Sequence, residues 1–327
     1  MKILLTGATG FLGFRTLEVL AKMPTITSIV ATGRTLKPTH QVDHPKVDYQ
    51  LGDLASQAFT QKLVSQVDHI IHAAALSAPW GNYQSFETAN VLTQQNLIKA
   101  AHAHPIQRFV YISTPSIYYN GQDRLNVSEA DPLPSKFVNA YAATKRLAEV
   151  ALEQSNIPYV ILRPRALIGR GDTVIMPRLL RAYEAGRLKI IGHGQNLVDL
   201  TAVANVAQAI VLSLQVDHQG LNQVYNITNG EPVYLWQKIQ RVLELMGKQL
   251  PAKKIPYALV SKVAQLMEWR AKLTNGQEPT LTKYGVGTLA KSFTLDISKA
   301  KKLLGYVPKI TTDEAIQEFV SWYQQNQ

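Results

Sequence analysis

The chain of 327 residues contains no cysteine, which excludes disulfides, thiolate metal sites and a cysteine nucleophile together. It has no apolar run of the roughly 18 residues that a membrane-spanning helix needs. The longest candidate, 202–214, is interrupted by Asn205 and Gln208. Acidic residues are scarce, 23 Asp+Glu against 34 Lys+Arg. Glycine and proline, at 19 and 16, are not in excess, and 46% of the residues are hydrophobic, so disordered and collagen-like chains are excluded. The N-terminal MKILLTGATG reaches glycine before an apolar signal core forms, so no export signal is expected. These absences predict a soluble globular protein of one large domain or two modest ones, in a reducing, cytoplasmic compartment.

The shortage of acid is local. Between Lys238 and Lys309 there are 14 Lys+Arg and 4 Asp+Glu, so nearly the whole net charge of +11 sits in the C-terminal quarter. Its bases, among them Lys262, Arg270, Lys272, Lys283 and Lys291, are dispersed between apolar residues rather than gathered in a block. That pattern reads as a solvated face, with attraction of anionic substrates or a membrane surface as the alternative, and not as a nucleic-acid site.

Strand and helix patterns alternate through the first half. Strands are expected at 2–6, 26–32, 47–50, 69–72, 108–113 and 159–163, and helices at 11–22, 55–64, 83–103 and 141–155. Such alternation demands a parallel sheet covered on both faces, an α/β Rossmann-type doubly wound fold. After about Arg165 the elements shorten. Strands at 188–192 and 224–228 are expected with helices at 202–214, 235–246, within 253–282, and at 312–325. Residues 1–164 read as one domain, which Gly7-Ala8-Thr9-Gly10 directly after the first strand marks as dinucleotide-binding. Residues 165–327 read as a smaller, mainly substrate-binding region, with about 193–228 returning to the first.

The first strand runs into Thr6-Gly7-Ala8-Thr9-Gly10-Phe11-Leu12-Gly13, which opens the first helix. Glycines there permit a tight turn, close approach of backbone to a pyrophosphate, and close packing of helix on sheet. The helix N-terminus offers free N–H groups to phosphate. Gly192-His193-Gly194 and Gly285-Val286-Gly287 lack that context and read as plain turns.

The spacing TGATGFLG resembles the extended short-chain dehydrogenase/reductase family, and the resemblance continues along essentially the whole chain. It implies that Gly7, Thr9, Gly10, Phe11, Leu12 and Gly13 cradle a dinucleotide, that Asp53 and Leu54 in Gly52-Asp53-Leu54 meet its adenine, and that Ala73, Ala74 and Ala75 let it lie against the fourth strand. Pro164, Tyr141 and Lys145 join the same cofactor set by resemblance. Asn90 and Asn96 match the family's next helix, although Thr93-Gln94 stand where Gly-Thr is usual. No acid follows the second strand until Asp43, and Arg34 can pair with a 2′-phosphate, so NADP(H) is expected in preference to NAD(H).

Tyr141 and Lys145 are one helical turn apart and face one groove. A phenol becomes a usable acid/base when an ammonium stabilises its phenolate. Tyr234 and Lys238 share the spacing, but read as part of a surface helix. Aligned on the family motif, Thr114 takes the place of the hydroxyl that binds the substrate oxygen, with Ser113 and Ser116 close by. Pro115 and Ser116 occupy positions where the family's dehydratases carry an acidic pair, and Ala166 replaces an asparagine usual in its nucleotide-sugar epimerases.

The second half resembles the 3β-hydroxysteroid dehydrogenase-like branch through residues 162–172, 176–180, 191–207, 224–233 and 296–308. Ala204-Asn205 depart from that branch, which usually shows an aromatic and an Asp there. The resemblance implies interconversion of a secondary alcohol and a ketone on a small hydrophobic molecule, and pairing into a homodimer through 83–103 and 141–155. The alternatives are a nucleotide-sugar epimerase or dehydratase with tightly held NAD, and a non-catalytic nucleotide-binding protein. The helix around 258–267 reads as an amphipathic helix packed on its own domain, with a substrate pocket or peripheral lipid contact as alternatives. His102 and His104 lack carboxylates at ligand spacing, so no metal is expected.

Overall fold

The architecture comes from a computed structural model that describes residues 1–274 and 278–326. Seven strands form one sheet: β1 (Lys2–Thr6), β2 (Ser28–Thr32), β3 (Val47–Tyr49), β4 (His69–His72), β5 (Arg108–Ile112), β6 (Tyr159–Pro164) and β7 (Gln223–Ile227). Their order is β7-β6-β5-β4-β1-β2-β3, and every neighbouring pair is parallel. This is a Rossmann-type sheet, with helices on both faces.

Side-chain alternation explains why both faces must be covered. Ile3 and Leu5 of β1 are buried with Ile71, Val110 and Val160 under helix α1 (Phe11–Ala21) and helix 203–215. Leu4, Ile70, Phe109 and Ile161 point the other way, against α2 (Gln57–Val64), α3 (Thr93–Ala103) and α4 (Ala140–Glu153). Strands buried on both sides keep apolar residues at consecutive positions, as Ile70-Ile71 and Ile3-Leu4-Leu5 do.

A separate core carries Ile168, Met176, Leu180, Trp236, Ile239, Ile316 and Phe319. Its strands are short. Val233–Tyr234, Leu197–Val198, Phe293–Leu295 and Arg124–Val127 make a four-stranded sheet that ties 124–127 of the first half to 293–295. Leu167–Ile168 pairs with Thr201–Ala202, and Ile190–Ile191 with Lys254–Ile255.

Of these short strands only 190–191 was expected, within 188–192, and none of the pairings was, because two or three residues carry little periodicity. Gly285-Val286-Gly287 is a correction: these residues lie inside the helix Lys283–Ala290. Gly287 is required there because a Cβ would stand 1.7 Å from the Tyr119 hydroxyl. The stretch 253–282 supplies the helix Tyr257–Leu273, and its residues 275–277 lie outside the described part. Gly192 and Gly194 do form a turn, both with positive φ. Asn205 earns its departure structurally: its side chain accepts from Lys309 N and Ile310 N and donates to Asn229.

The segment 83–103 is helical throughout but not regular. A π-helical stretch, Glu87–Leu92, separates Tyr83–Phe86 from α3. Just after it, Gln94 is fully buried and neither polar atom of its amide has a partner. An unmade buried hydrogen bond costs about 1–3 kcal/mol. Gln94→Leu is therefore expected to raise stability by about 1–2 kcal/mol in urea unfolding; a loss of that size would contradict this account.

Candidate active site

The C-terminal ends of β1, β4 and β5 face one crevice, where open parallel sheets bind ligands. β1 turns at Gly7, whose φ of +68° suits glycine, and a Cβ there would meet Ala74 N at 2.7 Å. A Cβ on Gly13 would stand 1.9 Å from the Gly7 carbonyl oxygen. The loop and the 73–75 backbone are thus in direct contact, held also by Thr6 Oγ1, which accepts from Ala74 N and meets His72 Nδ1. α1 starts at Gly10 with no side-chain cap and no acid in its first turn, so Phe11, Leu12 and Gly13 keep N–H groups free. Thr9 lies beside Gly33. This cradle fits a dinucleotide pyrophosphate: small where backbone must approach, and positive at the helix end.

Around it, Gly52 N bonds Gly33 O, Asp53 accepts from Ala55 N and stays exposed, and Leu54 is buried with its carbonyl held by Asn96. Arg34 is exposed just beyond β2, and no carboxylate among the described residues bonds it. Pro164 ends β6 opposite Ile227 of β7.

The reactive groups lie one strand further on. β5 ends at Ile112, and Thr114 caps the turn Pro115–Tyr118 by accepting from Ser116 N. Asn139 caps α4 through Ala142 N, and Tyr141 and Lys145 follow on its inner side. Burial raises the Tyr141 phenol above its ordinary pKa, and the nearby hydroxyls of Ser77 and Thr114 act against that. The Lys145 amine is buried, donates to Ile112 O at 2.6 Å, and lies 4.1 Å from the centre of the Tyr111 ring. Burial lowers its pKa to about 7, against the pull of Glu149. Tyr141, Thr114 and Lys145 are therefore brought together at one end of the sheet.

Several members of this cluster were not anticipated. Ser77 arrives from the loop after β4. Tyr284, from the helix Lys283–Ala290, bonds Ser116 Oγ at 2.7 Å, and Ser116 bonds Thr114 at 3.0 Å. Beside them Arg165 lies 4.4 Å from the Phe293 ring centre, its buried Nε without a partner, and burial pushes the neighbouring Asp199 carboxyl up to about 6.

A second layer fixes the first. Glu149 accepts from Arg163 at 2.8 and 2.7 Å and from Arg146 at 2.8 Å. Burial would raise this carboxyl, yet the arginine contacts hold it below the ordinary value. Arg163 also bonds Tyr118, which bonds Asn226 of β7. The π-helical stretch places Asn90 so that it grips both Leu76 N and Leu76 O and donates to Thr144 of α4. Asn90 matched the resemblance; Glu149, four residues after Lys145, was legible only as an i, i+4 neighbour.

Other candidates fall outside the crevice. Tyr234 is exposed and Lys238 pairs with Asp313 on the surface. His102 and His104 end α3, exposed, and no cluster of three ligating side chains occurs among the described residues. A cavity of about 520 Å³ lined by Ser128, Glu129, Arg163 and Lys299 contains none of Thr114, Tyr141 and Lys145.

The model of the NAD dependent epimerase/dehydratase family matches residues 3–228. A 2-alkyl-3-oxoalkanoate reductase of Stenotrophomonas maltophilia is 33% identical over 97% of this chain and 98% of its own length. A decarboxylating sterol-4-alpha-carboxylate 3-dehydrogenase of Candida albicans is 31% identical over 98% of this chain and 97% of its own. The Bordetella bronchiseptica enzyme WbmH, solved in complex with NAD+, shares the fold with a TM-score of 0.78 at 20% identity, covering 100% of this chain and 99% of its own.

Two outcomes test this geometry. Unfolded, Lys145 has an ordinary pKa of ~10.4; folded, it is about 7. Between those values the unfolded chain binds more protons, so this group's contribution is complete above the unfolded pKa and is lost as pH falls through the folded one. Relative to Lys145→Met, the native protein should gain about 1.4 kcal/mol per pH unit between ~7 and ~10; a flat difference would refute the burial. Glu149→Gln should cost about 3–5 kcal/mol by leaving Arg163 unpaired, and thermal unfolding matching the native protein would show that the bridge carries no weight.

Proposed function

The chain belongs to the NAD dependent epimerase/dehydratase family, and from that premise we propose that it reduces a ketone to a secondary alcohol, with Tyr141 as proton donor. The observation that carries this reading is the gathering of Tyr141, Thr114, Ser77 and Lys145 at the end of the sheet whose β4 loop, 73–75, packs on the glycine turn. Half-buried and with its pKa raised from a value already far above neutrality, the phenol is protonated at neutral pH, and that is the form that can give a proton to a carbonyl oxygen. Thr114 and Ser77 hold that oxygen and stabilise the charge growing on it. Lys145 stabilises the phenolate left behind. A bound nicotinamide would supply the hydride that reaches the carbonyl carbon.

The relatives named as a reductase and a dehydrogenase act at keto and hydroxyl groups, and this enzyme does so too. We assign it a small, mainly apolar substrate. NADP(H) is the preferred cofactor on this reading, because Arg34 stands free beyond β2 where a 2′-phosphate would lie. Asp53 and Leu54 would border the adenine, and Ala73, Ala74, Ala75 and Pro164 would border the rest of the dinucleotide. Exposed Tyr83, Leu92 and Leu147 on 83–103 and α4 support pairing of two copies through those helices.

Tyr141→Phe should lower turnover about 10²–10⁴-fold while leaving NADPH affinity unchanged, measured by cofactor absorbance and by titration; undiminished turnover removes Tyr141 from the reaction. Arg34→Glu should weaken NADPH binding at least tenfold and NADH binding little; equal losses would overturn the cofactor preference. Turnover by the purified protein without added cofactor would instead favour a nucleotide-sugar epimerase that recycles its hydride.

A further inference from the structure

We propose that the helix Tyr257–Leu273 seats the protein on the surface of an anionic lipid bilayer, beside the mouth of the active site. The amphipathic pattern of this helix was expected to pack its apolar side inward. The structure does the reverse. Only Val260 and Ala264 are buried, whereas Leu259, Val263, Leu266, Trp269 and Leu273 are 43–66% exposed.

Helical geometry puts these side chains on one face. Leu259, Leu266 and Leu273 recur every seven residues and so run in line, with Val263 and Trp269 on either side. Single exposed apolar residues need no explanation, but five on one helix do. The same outward arc carries Lys262 and Arg270, with Lys272 next to it. The helix's one acid, Glu268, is turned away and accepts from Lys283 N of the following helix. An apolar stripe flanked by bases and free of acids is the composition of a helix lying in a bilayer interface, its leucines among acyl chains and its cations among phosphates.

Charge also decides between occupants. Two copies meeting through this face would oppose Lys262, Arg270 and Lys272 of one to those of the other, whereas an anionic surface complements them. The helix is not long and apolar enough to cross a membrane, so any bilayer contact it makes is with the surface.

Position supplies the rest. Lys272 sits over the Trp80 ring at 6.0 Å, and Trp80 belongs to the loop that brings Ser77 to Tyr141. The next helix brings Tyr284 to Ser116. The exposed stripe is thus joined to two elements that border the reactive hydroxyls, and an apolar substrate dissolved in the bilayer would meet the site from that side.

The test is co-sedimentation of the full-length protein with vesicles of phosphatidylcholine plus phosphatidylglycerol, and of phosphatidylcholine alone. The native protein should pellet with the anionic vesicles, at least about tenfold more weakly with neutral ones, and less as salt rises. The double variant Leu259→Glu/Leu266→Glu should lose binding at least about tenfold with unchanged thermal unfolding. Lys262→Glu/Arg270→Glu, which leaves every leucine in place, should abolish the preference for phosphatidylglycerol and serves if the first variant misfolds. Native protein remaining in the supernatant, or charge-reversed protein binding as before, would overturn the proposal. So would a native dimer in light scattering that Leu266→Glu splits, since a second copy would then be the occupant. Vesicle binding is read without turnover, so its failure and that of the reductase reading are separable.

Discussion

The buried bridge between Glu149 and Arg163 is the constraint on which the site rests. A carboxylate taken out of water is tolerated only when its oxygens are matched, and here a guanidinium fork and Arg146 match them. The bridge is directional as well as compensating. It fixes the rotation of α4 about its own axis against β6, and through Tyr118 and Asn226 it fixes the turn after β5 against β7. Tyr141 and Lys145 lie two turns and one turn before Glu149 on that helix, so their approach to Thr114 follows from where the bridge forms. The phenol, the amine and the threonine are placed by one polar network beneath them.

Irregularity is concentrated at the same place. α3 would run unbroken from residue 83 if the hydrogen-bond register did not widen at 87–92, and that widening lets Asn90 reach Leu76 and Thr144 together. The loop carrying Ala73, Ala74, Ala75 and Ser77 is thereby tied to α4. Gly7 and Gly13 likewise tie that loop to α1 by permitting backbone contacts that any side chain would block. The cradle and the hydroxyl cluster are built on shared supports, so a displacement of one would move the other.

Much of this was legible in the sequence. KILLT and HIIH mark strands whose bounds hold in the fold, because a strand buried on both faces carries consecutive apolar residues at its centre. The glycine loop and the Tyr141–Lys145 pair were legible because each is a local pattern with a local cause. Ser77 and Tyr284 were not, since each reaches the site from a distant segment and only the folded chain brings it there. The helix 257–273 failed for another reason. Periodicity reveals that an apolar stripe exists but carries no sign of which way it faces, and here the small pair Val260 and Ala264 supplies the inward contact instead.

One cause accounts for both titration shifts in the site. Desolvation disfavours whichever form is charged, so it raises Tyr141 and lowers Lys145. In water the amine is slightly the stronger base of the two; buried, the order is reversed, and the resting site tends toward an uncharged phenol beside an amine that is only partly protonated. In the proposed reaction that state would give up the Tyr141 proton readily enough but would hold the resulting phenolate poorly. Glu149 pulls Lys145 back toward its charged form. The burial that depresses the lysine is thus opposed from within the same polar network, by the carboxylate that Arg163 and Arg146 hold charged.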